Sequence, residues 1–200
     1  MTQAAPALYL ASTSAYRRSL LERLALPFIA EAPGVDEARR ADEPVAALAA
    51  RLAQEKASAV AQRHPGAVVI GSDQVATTPD GRLLGKPGTE ERAVEQLLAA
   101  SGHAVVFLTA VTVVRSDGTL DTHTDRTTAV FRTLSESEVR RYVALDRPLD
   151  CAGSFRSEGL GAALLERVDN QDPTGLIGLP LVWLAGALRR AGLDPLSARA

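Results

Sequence analysis

Ala67-Val68-Val69-Ile70-Gly71-Ser72-Asp73-Gln74 (AVVIGSDQ) is the stretch on which the fold turns. Its apolar residues run on without alternation. That is the pattern of a central strand buried on both faces, not of a strand with one wet side. The expected strand covers Ala67 to Gly71 and delivers Ser72, Asp73 and Gln74 at its end. A carboxylate there is costly unless it finds a partner, and α/β proteins place ligands at strand ends. Asp73 is therefore a candidate metal ligand or general base. A turn aspartate bonded to nearby backbone is the plainer alternative.

Upstream, Ala7 to Ala11 reads as a short buried strand, followed by Ser12-Thr13-Ser14 and a helix from Arg17 to Leu26 with leucines at 20, 21 and 24. A hydroxyl just before such a run signals an N-cap. Pro27 to Glu37 reads as a return strand and loop. A second helix begins at Asp42-Glu43-Pro44. On it Leu48, Leu52 and Lys56 stand four apart, which turns Lys56 toward the body of the protein.

Downstream, Pro79-Asp80-Gly81 marks a hairpin turn, and Gly85-Lys86-Pro87 lies on the returning arm. Thr89 caps a third helix ending near Ser101-Gly102. Ala104 to Val114 and Thr127 to Arg132 are β-branched strands, and Ser135-x-x-Glu138 is a capping box for a fourth helix. Asp150 to Gly161 (DCAGSFRSEGLG) is glycine-rich and polar, and reads as a functional loop rather than core. A last helix covers Pro180 to Arg190. Strands and helices mix throughout, which predicts an α/β fold with a mixed β-sheet and flanking helices. Residues 1–200 are expected to form a single domain, because 200 residues at 46% hydrophobic suffice for one sizeable core.

Charge and cysteine usage narrow the function. The net charge of −2 and the absence of a basic block argue against a nucleic-acid partner. One cysteine, Cys151, excludes an internal disulfide, and no Cys/His spacing suggests zinc. The N-terminus lacks the pattern of a signal peptide, and no apolar run reaches the ~20 residues of a membrane span. A cytoplasmic location is expected. Of 22 cationic residues, only Lys56 and Lys86 are lysines. Lysine is a compact charge on a flexible stem, suited to reaching a phosphate; chance is the alternative.

Four constellations carry chemistry. Ser12-Thr13-Ser14 with Arg17 is either an N-cap or an anion site made of hydroxyls and free backbone N–H groups. Asp73 is the second. Gly85-Lys86-Pro87 is the third, a stiffened arm presenting a lysine, and not a Walker loop. Glu37, after Gly34-Val35-Asp36, is the fourth and by itself looks like any exposed acid. Together they suit metal-assisted phosphate chemistry on a nucleoside triphosphate. Arg17, Lys56 and Lys86 would neutralise phosphates, and Glu37 and Asp73 would hold Mg²⁺ or Mn²⁺.

Leu10-Ala11-Ser12-x-Ser14-x-x-Arg17, Val35-Asp36-Glu37, Gln54-Glu55-Lys56-Ala57, Gly71-Ser72-Asp73, Gly85-Lys86-Pro87 and Ala152-Gly153-x-Phe155 resemble the Maf family, in order, over nearly the whole chain. Ala15 departs from it, standing where the family usually has proline. The resemblance implies a nucleotide pyrophosphatase with two lobes around a cleft and a fold akin to inosine triphosphate pyrophosphatases. It implies Asp73 as proton acceptor, Glu37 near a divalent metal cation (Mg²⁺ or Mn²⁺), and Ser12, Ser14, Arg17, Lys56 and Lys86 on the substrate. A homodimer and a non-catalytic role in cell division are further readings it leaves open.

Tyr16, Gln74 and Glu158 look subfamily-specific and resemble the branch that hydrolyses 7-methyl-GTP rather than dTTP or UTP. Methylation at N7 puts positive charge on guanine. A Glu158 carboxylate could accept from the N1–H and N2–H edge, at about 1.5–3 kcal/mol for each charge-assisted bond. A Tyr16 face adds cation–π stacking of roughly 0.5–2 kcal/mol. Thymine and uracil would set an O2 acceptor against that carboxylate.

Overall fold

The computed structural model describes residues 5–197. The sheet has strand order β2-β1-β3-β5-β6-β7, with β4 paired to β3. Its strands are β1 (Leu8–Leu10), β2 (Ile29–Ala30), β3 (Val68–Thr77), β4 (Leu83–Leu84), β5 (Ala104–Val114), β6 (Leu120–Phe131) and β7 (Leu165–Asp169). The helices are α1 (Ala15–Glu22), α2 (Val45–Arg63), α3 (Glu90–Ala100), α4 (Glu136–Asp146) and α5 (Leu181–Arg190). Parallel β1–β2 and β1–β3 pairs occur with antiparallel β3–β4 and β6–β7 pairs, so the sheet is mixed, as expected. Among the described residues no helix is long and apolar enough to cross a membrane.

The chain divides into two compact units. The first comprises residues up to Asp73, Thr109–Asp125 and the residues from Asp172 on; the second comprises Gln74–Leu108 and Arg126–Gln171.

In the first unit the non-alternating run of β3 has the predicted consequence. Val68 and Ile70 join Leu8, Leu10, Val111 and Val113 in a cluster with Leu20 and Leu21 of α1 and Leu184 and Leu188 of α5. Val69 turns the other way, to Ala57 and Val60 of α2. Both faces of the strand are dry, because successive side chains point to opposite faces of a sheet. On the α2 side the packing is very close. A Cβ on Gly71 would lie 2.2 Å from the Ala53 carbonyl oxygen and 2.5 Å from the Ala57 nitrogen. Glycine here lets the backbone of α2 lie directly against the strand.

In the second unit β3 and β4 form the predicted hairpin, with Ala76 opposite Leu84. Helices α3 and α4 pack together. Helix α4 carries the predicted capping box: Ser135 caps Glu138 N–H, and the Glu138 carboxylate accepts from the Ser135 backbone N–H at 2.8 Å. These bonds and Arg132 hold the Glu138 carboxyl at about 2, well below its ordinary 4.5.

Three expectations are corrected. Strand β3 does not stop at Gly71; Val75 and Ala76 keep it buried, and it runs on to pair with β4, so Asp73 sits mid-strand. The Asp150–Gly161 segment is anchored in the core. Phe155 is 5% exposed and packs against Phe107 and Phe131, with the ring centroids of Phe131 and Phe155 5.5 Å apart, and the buried Ser154 hydroxyl donates to Gln96 Oε1 at 2.6 Å. Strand β6 reaches back to Leu120, and β7 was not anticipated. Its five residues, Leu-Glu-Arg-Val-Asp, are nearly all exposed, so they carry little hydrophobic pattern.

Two stability outcomes are expected. Gly71→Ala should destabilise the protein by about 3 kcal/mol or more in urea denaturation, because the methyl meets backbone atoms that cannot move aside cheaply. Glu138→Gln should lower the melting temperature at neutral pH. The wild-type advantage is present above pH 4.5 and is lost as pH falls toward 2, since the folded carboxyl titrates below the unfolded one. Melting curves from pH 2 to 7 should therefore converge at the acid end.

Candidate active site

The first unit gathers most of the predicted residues. Lys56, in the buried row Leu48-Leu52-Lys56-Val60 of α2, is 5% exposed. Its ammonium lies 2.6 Å from Asp73 Oδ1 and 2.6 Å from Glu37 Oε1. The Asp73 side chain is 11% exposed and that of Glu37 56%, so the ammonium joins an interior carboxylate to one that reaches solvent. A mid-strand aspartate is tolerated here because it is paired, which removes most of the cost of burying it. Glu37, featureless in sequence, is brought in by the loop between β2 and α2.

Arg17 stands on α1, whose N-cap is Ser14. The N-cap reading of the Ser12-Thr13-Ser14 turn is the one this geometry shows. Ser14 Oγ accepts from Arg17 N–H at 3.4 Å, and the buried Ser12 hydroxyl accepts from Ser14 N–H at 3.1 Å. The Arg17 side chain is half-buried, and its Nε donates to the Gly178 carbonyl at 3.0 Å. Burial lowers its pKa from the ordinary value, while Asp73 and Glu37 oppose that shift. Two cations and two carboxylates thus share one neighbourhood, and their formal charges cancel. Tyr16 lies beside Arg17 on α1, half-buried.

Sequence reading did not identify what holds Arg17. Ser72 is fully buried; its hydroxyl proton is shared between the Ala110 carbonyl at 2.8 Å and the Gly178 carbonyl at 3.0 Å. The Gly178 carbonyl therefore serves both Ser72 and Arg17. The segment that carries it is tied down by buried Asp172, whose Oδ1 accepts from Thr174 N–H and whose Oδ2 accepts from Val182 N–H at the start of α5. Thr109 adds a bond to the Gly175 carbonyl at 2.8 Å. The sequence signal nearest to it is Ser72, directly after the apolar run of β3; Gly178 and Asp172 carry no motif of their own.

The remaining predicted residues belong to the second unit. Gln74 follows Asp73 on β3 and is half-buried. Lys86 follows Gly85 beyond β4 and is exposed, with no ion-pair or hydrogen-bond partner for its side chain among the described residues. Glu158 is exposed; Arg156 Nε lies 3.7 Å from its Oε1, and the Ser157 hydroxyl donates to its Oε2 at 3.3 Å.

Among the described residues no group of three or more His, Cys, Asp or Glu forms a ready-made metal cage. Glu37 and Asp73 nevertheless fit a magnesium-type ion. Such an ion takes one or two protein carboxylates and completes its shell with water and substrate phosphates. In this structure the Lys56 ammonium lies between the two carboxylates.

A profile of the family described as Maf-like protein matches residues 7–191 of the chain. A protein from Alkalilimnicola ehrlichii named 7-methyl-GTP pyrophosphatase is 53% identical over 188 residues, covering 94% of this chain and 94% of its own. A protein of the same name from Xanthomonas oryzae pv. oryzae is 54% identical over 187 residues, covering 94% of this chain and 97% of its own. Among solved structures, a nucleoside-triphosphatase / dITP/XTP pyrophosphatase from Mycobacterium abscessus aligns at 18% identity over 64% of this chain and 75% of its own, with a TM-score of 0.41.

Ser72→Ala should cost about 1–3 kcal/mol in chemical denaturation, because two buried carbonyls share the hydroxyl it removes. A loss within a few tenths of a kcal/mol would show that Gly178 is held without it.

Proposed function

Since the chain belongs to the Maf family, we propose that it is a hydrolase that converts 7-methyl-GTP to 7-methyl-GMP and diphosphate, removing a modified nucleotide. Curated relatives more than half identical over nearly the whole chain, each named for that activity, support the substrate. The structural observation that carries the chemistry is the meeting of Lys56 with Glu37 and Asp73 at 2.6 Å.

In this reading water attacks the α-phosphorus, the bond from that phosphorus to the bridging oxygen breaks, and diphosphate leaves. Asp73 accepts the proton of the attacking water. Arg17, Lys56 and Lys86 compensate the phosphate charge, and Ser12 and Ser14 supply hydroxyls at the start of α1. Glu37 and Asp73 would hold Mg²⁺ or Mn²⁺, which when bound polarises phosphoryl oxygens. Glu158, with Tyr16 and Gln74, is assigned to the base. A carboxylate there suits the donor edge and positive ring of 7-methylguanine, and a methyl contact alone would discriminate by only about 1–3 kcal/mol. The substrate is a free nucleotide, so nucleic acid and membrane are not partners, and the cytoplasm is the expected compartment.

The test is diphosphate release from 7-methyl-GTP, GTP, dTTP, UTP and CTP with Mg²⁺ or Mn²⁺. Preference for 7-methyl-GTP is expected, with Asp73→Asn lowering kcat by about a hundredfold or more. Preference for dTTP or UTP would overturn the roles of Tyr16, Gln74 and Glu158. No turnover of any substrate would favour a binding protein, and full activity of Asp73→Asn would remove Asp73 as the base.

A further inference from the structure

We propose that Lys56 is a resident counter-cation that keeps divalent metal off Glu37 and Asp73 until a polyphosphate draws its ammonium away. The inference rests on the reading of those two carboxylates as the metal-holding residues.

The geometry sets the competition. One buried ammonium contacts both carboxylates at 2.6 Å, so it occupies the electrostatic position that a divalent ion would take. The ion can gain both carboxylates only if the ammonium withdraws, because the two cations repel strongly in a half-dry site. Withdrawal leaves a buried ammonium without a counter-ion, which is costly unless another anion receives it. A polyphosphate is such an anion, and its oxygens also complete the metal's shell. Metal and polyphosphate should therefore each strengthen the other's binding, by reciprocal linkage.

The residue type fits this task. Helix α2 also carries Arg51, which contacts Glu43 at 2.6 Å and Glu55 at 2.9 Å. That planar fork makes a standing clamp. Lys56 makes an equally short pair of contacts with a single rotatable ammonium on a flexible stem, which can exchange carboxylate for phosphate by small torsional changes. In a chain with 20 arginines among 22 cations, a lysine at this point suits a charge that has to move.

Mn²⁺ binding to the nucleotide-free protein, followed by electron paramagnetic resonance, tests the idea in wild type, Lys56→Met, Lys56→Gln and Lys56→Arg. The two neutral variants should bind Mn²⁺ at least about tenfold more tightly than wild type, and Lys56→Arg should not, because only the neutral changes remove the competing charge. Inorganic diphosphate should tighten Mn²⁺ binding more in wild type than in the neutral variants. Equal Mn²⁺ affinity in wild type and the neutral variants would overturn the exclusion while leaving the metal reading in place. No Mn²⁺ binding by any of the proteins, with or without diphosphate, would overturn both. Should the neutral variants fail to fold, wild type decides. With two lysines in the chain, ¹⁵N-lysine labelling resolves the Lys56 ammonium. Saturating Mg²⁺ with diphosphate must move its resonance, and an unmoved signal overturns the proposal.

Discussion

The shared ammonium of Lys56 is the constraint around which the first unit is arranged. The Asp73 carboxylate and the Lys56 ammonium leave water together, and their mutual pairing, with Glu37 on the solvent side, makes that tolerable. Removing one partner of a buried pair costs on the order of 3–5 kcal/mol. The pairing needs α2 close against β3, since a lysine stem has limited reach. Gly71 provides that closeness, and buried Ala49, Ala53 and Ala57 keep the facing helix surface small. A packing feature, the absence of one methyl group, thereby brings the Lys56 ammonium to the two carboxylates.

A second polar device works beside it. The segment from Asp172 to Pro180 has little regular structure, yet its buried polar groups find partners through Asp172, Thr174, Thr109 and Ser72. Satisfied polar networks in a low-dielectric setting rigidify what they hold. Here they hold the Gly178 carbonyl, which in turn receives Arg17. Surface pairs such as Arg18–Glu22, with both side chains more than half exposed, add little by comparison.

Much of this was legible in the residues themselves. The unbroken apolar run marked β3 as a two-sided strand. Ser14 and the Ser135–Glu138 box marked their helix starts through hydrogen bonds local in sequence. The spacing of Leu48, Leu52 and Lys56 turned the lysine inward before any partner was known. The misreadings share a cause. The expected strand ends at Gly71 because the unbroken apolar run ends there, whereas a lysine from another element makes Asp73 acceptable in mid-strand. The Asp150–Gly161 segment reads as a loop because its glycines and polar residues outnumber its large apolar ones, whereas Phe155 and Ser154 pin it to the core through partners on other elements.

The sequence by itself determined the helices and the central strands, though not β7, together with the inward face of α2 and the type of chemistry, since these follow from local periodicity, capping and the functional groups present. Only the tertiary structure decided that Glu37 and Asp73 meet on Lys56, that Ser72 and Arg17 meet on Gly178, and that Asp172 holds the start of α5. Those contacts join residues from separate elements. Backbone proximity sets which groups meet, and one chain read alone carries no distances between its elements.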